Sequence, residues 1–214
     1  MSLLLNVKYE NKDRVKNLGA RWNPELKKWY VKDRNDYSKF IKWIIEDKDE
    51  TYIIHNHYYL VLGKRKCFKC NKMTTVVGFG IEDYAEVLNP EVYKEEIPIV
   101  WNSGMVHIVP FIHNLPLRHY EYFKDKYYFS KDYSRTINDY YFANHCEHCK
   151  TLQGNYFLFN EVDSPFFIID TDDARELDLL KINLNNDIIS DLEPGYSDTD
   201  PLIKQYANIQ KLSL

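Results

Sequence analysis

All four cysteines of this 214-residue chain fall into two Cys-Xaa-Xaa-Cys pairs, Cys67/Cys70 in KCFKCNK and Cys146/Cys149 in HCEHCKT. Two residues between cysteines let both sulfurs point into one tight turn, where neighbouring backbone amides stabilise the thiolates. Two such turns facing each other make a tetrahedral sulfur site suited to zinc. The expected cofactor is therefore one zinc ion on Cys67, Cys70, Cys146 and Cys149. With all four positions taken by protein, it is structural and not catalytic. The spacing is the objection: 75 residues separate Cys70 from Cys146, where compact zinc modules use about 15–20. Lengthening a closed loop costs only about 0.6 kcal/mol per doubling, so about two extra doublings cost near 1.2 kcal/mol. Structural zinc in small peptides contributes about 10–16 kcal/mol, so the insertion is tolerated and is expected to carry structure of its own. The alternatives are two disulfides, which a reducing compartment disfavours, a redox-active Cys-Xaa-Xaa-Cys, an iron–sulfur cluster, or two sites completed by histidine.

Histidine is the complication. His145 and His148 lie beside and within the second pair, and His55 and His57 share one face of a strand before Cys67. Either pair is a candidate for a second metal, and solvated polar residues are the plainer expectation. His107, His113 and His119 read as core or surface residues. Glu82-Asp83, Glu95-Glu96 and Asp170/Asp172/Asp173 are the acidic clusters available to a hydrolytic metal, with ordinary loops and helix caps as the competing reading. No nucleophile motif or phosphate-cradling glycine loop accompanies them. The expected protein is not an enzyme.

The basic groups offer a different chemistry. Lys12, Lys16, Arg21, Lys27 and Lys28 stand near Trp29 in the sequence, and Lys64, Arg65 and Lys66 lead into the first cysteine pair. Cations on phosphates and aromatic faces on unpaired bases would bind single-stranded or duplex nucleic acid. Trp22 and Trp29 also read as core, because so small a segment needs them for burial. The net charge of −4 is uneven: residues 1–66 carry 15 Lys and Arg against 9 Asp and Glu, whereas residues 161–214 carry 4 against 12. An acidic end of this kind repels phosphates or folds back over the basic part.

Across the whole chain, 44% of the residues are hydrophobic and 28% charged. That composition suits a folded protein, without the run of about 18 uncharged apolar residues needed to cross a bilayer. The start MSLLLNVK is too short for a secretory signal, and the expected location is the cytoplasm. Residues 3–8 read as a strand, 12–18 as a helix capped by Asn11 with Gly19 just beyond it, and 20–23 and 28–31 as a hairpin. A helix capped by Asn35 or Asp36 follows, and residues 47–50 form a linker. Trp22, Trp29, Tyr30 and Trp43 are the expected aromatic centre of this part. Residues 52–62 and 73–79 read as strands flanking the first pair, 82–88 as helical turns, 97–101 and 106–112 as strands, and 117–126 as a helix. A tyrosine-rich stretch, 127–142, leads to the second pair. Helices are expected over 172–180, capped by Thr171, and from Asp200-Pro201 to residue 211.

Leu5-Asn6-Val7-Lys8-Tyr9, Lys12-Asp13, Leu18-Gly19-Ala20-Arg21-Trp22 and Lys28-Trp29-Tyr30-Val31 resemble a small bacterial domain of uncharacterised function. That domain stands at the N-terminus of plasmid TraC-type primases and in other mobile-element proteins. The resemblance covers residues 3–45 and implies a setting near DNA metabolism, without implying primase activity. Cys67-Phe68-Lys69-Cys70 with Met73-Thr74-Thr75-Val76-Val77, a variable insert, and Asn144-His145-Cys146-Glu147-His148-Cys149-Lys150-Thr151-Leu152-Gln153-Gly154-Asn155-Tyr156-Phe157-Leu158 resemble an uncharacterised bacterial zinc-ribbon-like class, with which no activity comes. The resulting expectation is an α+β protein. It has a small αβ domain over 1–48, a zinc-ribbon-like domain over 52–184 with insertion 80–140, and an acidic linker and C-terminal helix over 185–214. Its expected role is a non-enzymatic zinc-binding accessory protein that binds nucleic acid. The alternatives are a docking module using the tyrosine-rich insertion to hold a protein partner and, further off, a metal-dependent hydrolase. No membrane partner is expected.

Overall fold

The computed structural model describes all residues except 47, 95–97, 137 and 193. The fold is α+β, and the chain forms two compact units that each draw on separated stretches. The first comprises Met1–His57, Glu82–Gly104 and Asn183–Leu192, the second Tyr58–Ile81, Met105–Ile182 and Glu193–Leu214.

The chain begins with β1 (Leu3–Leu5), α1 (Lys12–Asn17), β2 (Arg21–Asn23) and β3 (Lys28–Val31). They form an antiparallel sheet in the order β1-β3-β2, with Trp22 directly opposite Trp29. Gly19 ends α1 at φ +104, a left-handed geometry that a side chain would strain. The expected helix after β3 is instead a 3-10 turn, Arg34–Phe40, running into a short α2 (Ile41–Ile45). Asp33, and neither Asn35 nor Asp36, caps it by accepting the Asn35 N–H at 2.9 Å.

The chain continues through β4 (Glu50–Ile54), β5 (His57–Lys66), β6 (Met73–Ile81) and β7 (Tyr84–Leu88). A single-turn α3 (Pro90–Tyr93) precedes β8 (Ile99–Asn102) and β9 (His107–Val109). Residues 52–62 are thus two strands, broken where Asn56 turns left-handed at φ +59. Residues 84–88 are a strand where helical turns were expected. Tyr84, Ala85 and Val87 are all buried there, and pairing on both sides by β4 and β8 overrides the local helical pattern.

Next come α4 (Leu117–Tyr127), β10 (Phe129–Ser134), β11 (Asp139–His145), β12 (Leu152–Gln153) and α5 (Tyr156–Phe159). The chain ends with α6 (Thr171–Arg175), β13 (Asp178–Asn183), β14 (Ile188–Ser190), α7 (Asp200–Tyr206) and β15 (Asn208–Leu212). Three expectations change here. Asp170, not Thr171, caps α6 through a capping box with Asp173, and the helix stops at Arg175 because Leu177, Leu179 and Ile182 are needed in a core. The last helix stops at Tyr206, and the residues beyond it pair in parallel with β13. Within the expected acidic linker, residues 188–190 form a strand paired to β4.

In the first unit a four-stranded sheet, β14-β4-β7-β8, shares one core with the N-terminal segment. Leu3, Val15, Tyr37, Phe40, Trp43 and Ile44 pack in one cluster with Ile53, Val87 and Ile99. Trp43 is in this core as expected, but Trp22 is 49% exposed and lies outside it, while Trp29 packs on its margin. In the second unit the sheets are β15-β13-β5-β6-β9 and β10-β11-β12. Phe79 there meets Phe123 and Phe129 edge-on at 5.5 and 5.3 Å. Gly63 on β5 faces Pro165, whose Cβ would lie 2.8 Å from any added Cβ, so only glycine admits that contact. No helix among the described residues is long and apolar enough to cross a membrane.

Candidate metal centre and basic aromatic cavity

Each cysteine pair sits in the turn of a hairpin, Cys67/Cys70 between β5 and β6, Cys146/Cys149 between β11 and β12. The turns have the same backbone bonds despite different sequences. The Cys67 N–H donates to Lys72 O and the Asn71 N–H to Cys67 O, both at 2.9 Å. Likewise the Cys146 N–H donates to Thr151 O and the Lys150 N–H to Cys146 O, both at 2.9 Å. Both turns need a left-handed residue after the second cysteine, supplied by Asn71 at φ +58 and Lys150 at φ +59. Asparagine takes that conformation readily and lysine does not. Lys150 is held there by bonding Glu147 O at 2.7 Å while its Nζ lies 3.3 Å from the Tyr128 ring centre.

The four sulfurs converge. Cys67 Sγ lies 3.7 Å from Cys149 Sγ, Cys70 Sγ lies 3.7 Å from Cys146 Sγ, and all four fall within 4.8 Å of one another. Among the described residues this is the one group of histidine, cysteine and carboxylate donors able to hold a metal ion. The thiol acidities are spread as expected for donors that share charge. The Thr151 hydroxyl, then its amide, brings Cys149 down to about 6. Burial pushes Cys67 upward, but the amides of Cys70 and Lys69 outweigh it and leave the thiol below its usual value. The Lys72 amide favours the Cys70 thiolate, yet burial and the neighbouring sulfurs raise it to about 11.

Polar residues to which the sequence reading gave no role of their own lock the two turns together. The Glu147 N–H donates to Thr74 Oγ1 at 3.0 Å, and Gln153 Nε2 lies 3.6 Å from Cys67 Sγ while donating to Thr151 O at 2.8 Å. Asn144 is fully buried and its carboxamide bonds both backbone groups of Val77. Thr74, Asn144 and Gln153 fall within the segments that carry the zinc-ribbon-like resemblance, and nothing in their residue types alone signals these bonds.

The histidines are committed elsewhere. His145 contacts Tyr128 O and Asp132 Oδ2, each at 3.0 Å, and holds the Asp132 carboxyl below its usual range. His148 contacts Met73 O at 2.9 Å. His55 and His57 are buried, not solvated: His55 lies 3.1 Å from Asp187 and stacks on Trp101 at 4.9 Å, and His57 lies 3.0 Å from Glu82. His107 and His119 are buried against Asp200 and the Tyr58 hydroxyl, each at 2.8 Å. Of the acidic clusters, Glu82 pairs with His57, the Asp170/Asp172/Asp173 group caps α6, and Glu95-Glu96 lies outside the described residues.

A second feature lies in the first unit, a cavity of about 390 Å³ beside the β2–β3 hairpin. It brings together Lys12, Lys27, Lys28 and Trp29 from the expected set, and adds Trp22 and Tyr9. Asn23 shapes the hairpin turn, its Oδ1 accepting from the N–H groups of Glu25 and Leu26 at 3.0 and 2.9 Å. Trp22 meets Trp29 edge-on at 5.7 Å and 62°. Lys12 Nζ donates to the Tyr9 hydroxyl at 2.7 Å, which raises the lysine's pKa. Arg21 lines a different cavity with Lys32 and Arg34, and Lys16 is exposed on α1. Lys64, Arg65 and Lys66 belong to the second unit, where the Arg65 guanidinium stands 5.7 Å from the Phe157 ring centre. The acidic residues near the C-terminal end that fold onto the first unit pair with other cations, Asp187 with Arg34 and Asp191 with Lys48.

Residues 3–44 match a domain of unknown function, DUF5710. Two curated relatives are both described as DNA primase TraC, from Escherichia coli. One is 46% identical over 39 residues, covering 18% of this chain and 3% of the relative. The other is 48% identical over 42 residues, covering 20% and 4%. The chain thus spans only a small fraction of these primases' length. No solved structure matches the chain.

Proposed function

We propose that this protein is a non-enzymatic, zinc-binding accessory protein that binds nucleic acid in a cytoplasmic, mobile-element or DNA-metabolism setting. The observation that carries the reading is the cavity that gathers Lys12, Lys27 and Lys28 around Trp22 and Trp29 with no acidic residue among the described residues of its lining. Lysines supply the sequence-independent attraction to phosphates, and exposed indole supplies stacking. The DNA setting is supported by the N-terminal similarity to two proteins described as DNA primases.

The metal reading is zinc. A tetrahedron of sulfurs about 2.3 Å from a zinc ion has edges of about 3.8 Å, close to the 3.7 Å separating Cys67 from Cys149 and Cys70 from Cys146. Four protein thiolates complete the coordination, so the ion acts as a structural crosslink. Two hairpin turns with identical bonding support a zinc-ribbon-like arrangement with a long insertion between its halves. Arg65 and the exposed Phe68 beside the first turn offer a further phosphate and ring contact.

The test is binding of labelled DNA and RNA by the full chain at low and moderate salt. Binding is expected to weaken steeply with salt, and triple replacement of Lys12, Lys27 and Lys28 by alanine to remove most of it. Failure to bind any nucleic acid at low salt overturns the reading. It would leave the tyrosine-rich hairpin β10–β11, where Tyr133 and Tyr140 are exposed as a pair at 5.2 Å, as a protein-docking surface.

A further inference from the structure

We infer that the Trp22–Trp29 cavity receives one unpaired nucleobase of a single strand, stacked on Trp22, with flanking phosphates on Lys12, Lys27 and Lys28. The inference rests on the nucleic-acid reading above and narrows it from nucleic acid in general to strands with accessible base faces.

Shape decides between single strand and duplex. A duplex hides its base faces in the stack and offers groove edges, which are read by elements that project, a helix or a two-stranded ribbon. Here the aromatic groups line a concavity, and its 390 Å³ falls near the lower end of the roughly 300–1,000 Å³ typical of small-ligand pockets. A cavity of that size has room for a nucleotide and cannot enter a groove.

The chemistry of the lining agrees. The tilted contact with Trp29, 62° between the rings, is not a face-to-face stack, so at least one Trp22 face is left uncovered by that neighbour, and Trp22 is half exposed although a core position would bury it. Leu5 and Val7 add apolar wall, so a planar heterocycle would exchange water for apolar contact. Lys12 is held at the rim by the Tyr9 hydroxyl and stands 4.0 Å from that ring's centre, which orders the cation before a phosphate arrives. Lys27 sits left-handed at φ +50 in the hairpin turn, which places Lys27 and Lys28 together at the cavity. Stacking is blind to base identity and to the sugar hydroxyl, so DNA and RNA strands are expected to bind alike.

The experiment is fluorescence anisotropy of the full chain with one labelled 12-nucleotide strand as DNA, as RNA and as a blunt DNA duplex. Single strands are expected to bind at least tenfold more tightly than the duplex. Trp22→Ala is expected to weaken strand binding by about 5- to 150-fold, the equivalent of about 1–3 kcal/mol per stacked base. Trp22→Phe keeps a stacking face and is expected to retain most of the affinity. As a readout independent of any loss of fold in the alanine variant, strand binding is expected to quench tryptophan emission in the native chain and to quench it much less in Trp22→Phe. Equal affinity for strand and duplex, or strand binding indifferent to Trp22, overturns this inference and leaves general phosphate binding standing. Absence of binding to all three probes overturns both.

Discussion

The side chain of Asn144 bonds the backbone of Val77 as a neighbouring strand would. Its Oδ1 accepts the Val77 N–H at 2.7 Å and its Nδ2 donates to the Val77 carbonyl at 2.9 Å. β9 pairs with β6 only at Phe79–Ile81, so among the described residues Val77 has no strand partner on that side. One amide therefore closes the open edge of β6 and fixes the strand that delivers Cys146 against the strand that leaves Cys70. Both residues are fully buried.

Replacing Asn144 by alanine should cost about 2–6 kcal/mol, because two buried backbone groups lose their partners at about 1–3 kcal/mol each. Urea unfolding followed by circular dichroism should record that loss. Metal content per folded chain should stay at one, since no ligand is touched. A cost below about 0.5 kcal/mol would mean that water or a shifted strand replaces the amide.

The thiolate cluster predicts one zinc per chain, measurable by mass spectrometry under native conditions or by a chromogenic assay. Cys146→Ser removes one of the two buried ligands and should abolish stoichiometric binding. The damage should concentrate in the second unit, which holds all four cysteines. Amide exchange should accelerate across Tyr58–Ile81 and Leu117–Gln153 far more than in the core around Phe40 and Trp43. Equal loosening of both units would deny that the cysteines crosslink the second unit specifically.

How much of this was legible in the sequence depended on whether the deciding contact was local. The Cys-Xaa-Xaa-Cys pairs, the 28–31 strand with its turn and the left-handed Gly19 are set within a few residues, and the expected positions match the structure. Segments whose conformation is decided by distant partners did not read correctly. Residues 84–88 are held extended by strands on both sides, and residues 178–182 by β15 and the core. The role of Asn144 was invisible because a carboxamide beside a cysteine pair says nothing of Val77, which lies 67 residues earlier. Trp22 was misassigned for a related reason. The first unit fills its core with Tyr37, Phe40 and residues from β4, β7 and β8, and so has no need of Trp22.

Acid should destabilise the two units in different pH windows. In the second unit His119, buried beside Tyr58, is held down to about 4 by burial and then by Arg118. The unfolded chain takes up that proton near its ordinary value of about 6.5. The neutral folded histidine therefore contributes full stability above about 6.5, and about 3 kcal/mol is lost as pH falls from there through 4. In the first unit burial alone would raise Asp187, but His55, Arg34 and Tyr37 outweigh it and bring the carboxyl down to about 2. Its contribution, about 2 kcal/mol, is complete above the unfolded value near 4 and is lost between 4 and 2. Urea titrations from pH 7 to 2 should resolve the two steps. His119→Gln should flatten the first and Asp187→Asn the second. A single step unmoved by both variants would contradict the assignment.

Salt dependence separates the contributions of individual lysines at the cavity. Each cation that neutralises one phosphate steepens the fall of log affinity with log salt by about 0.9 on duplex and about 0.7 on single strands. Lys12, Lys27 and Lys28 acting together should therefore give a slope near −2 on a single strand, and each alanine replacement should lower it by about 0.7. Arg21→Ala is the control. It removes a charge from the same hairpin but from a different cavity, so the field of the unit falls by as much while no cavity contact is lost. A variant of Arg21 that lowers the slope as far as Lys28→Ala does would show that binding tracks net charge alone. A slope that falls only for the three lysines would tie the phosphates to the cavity.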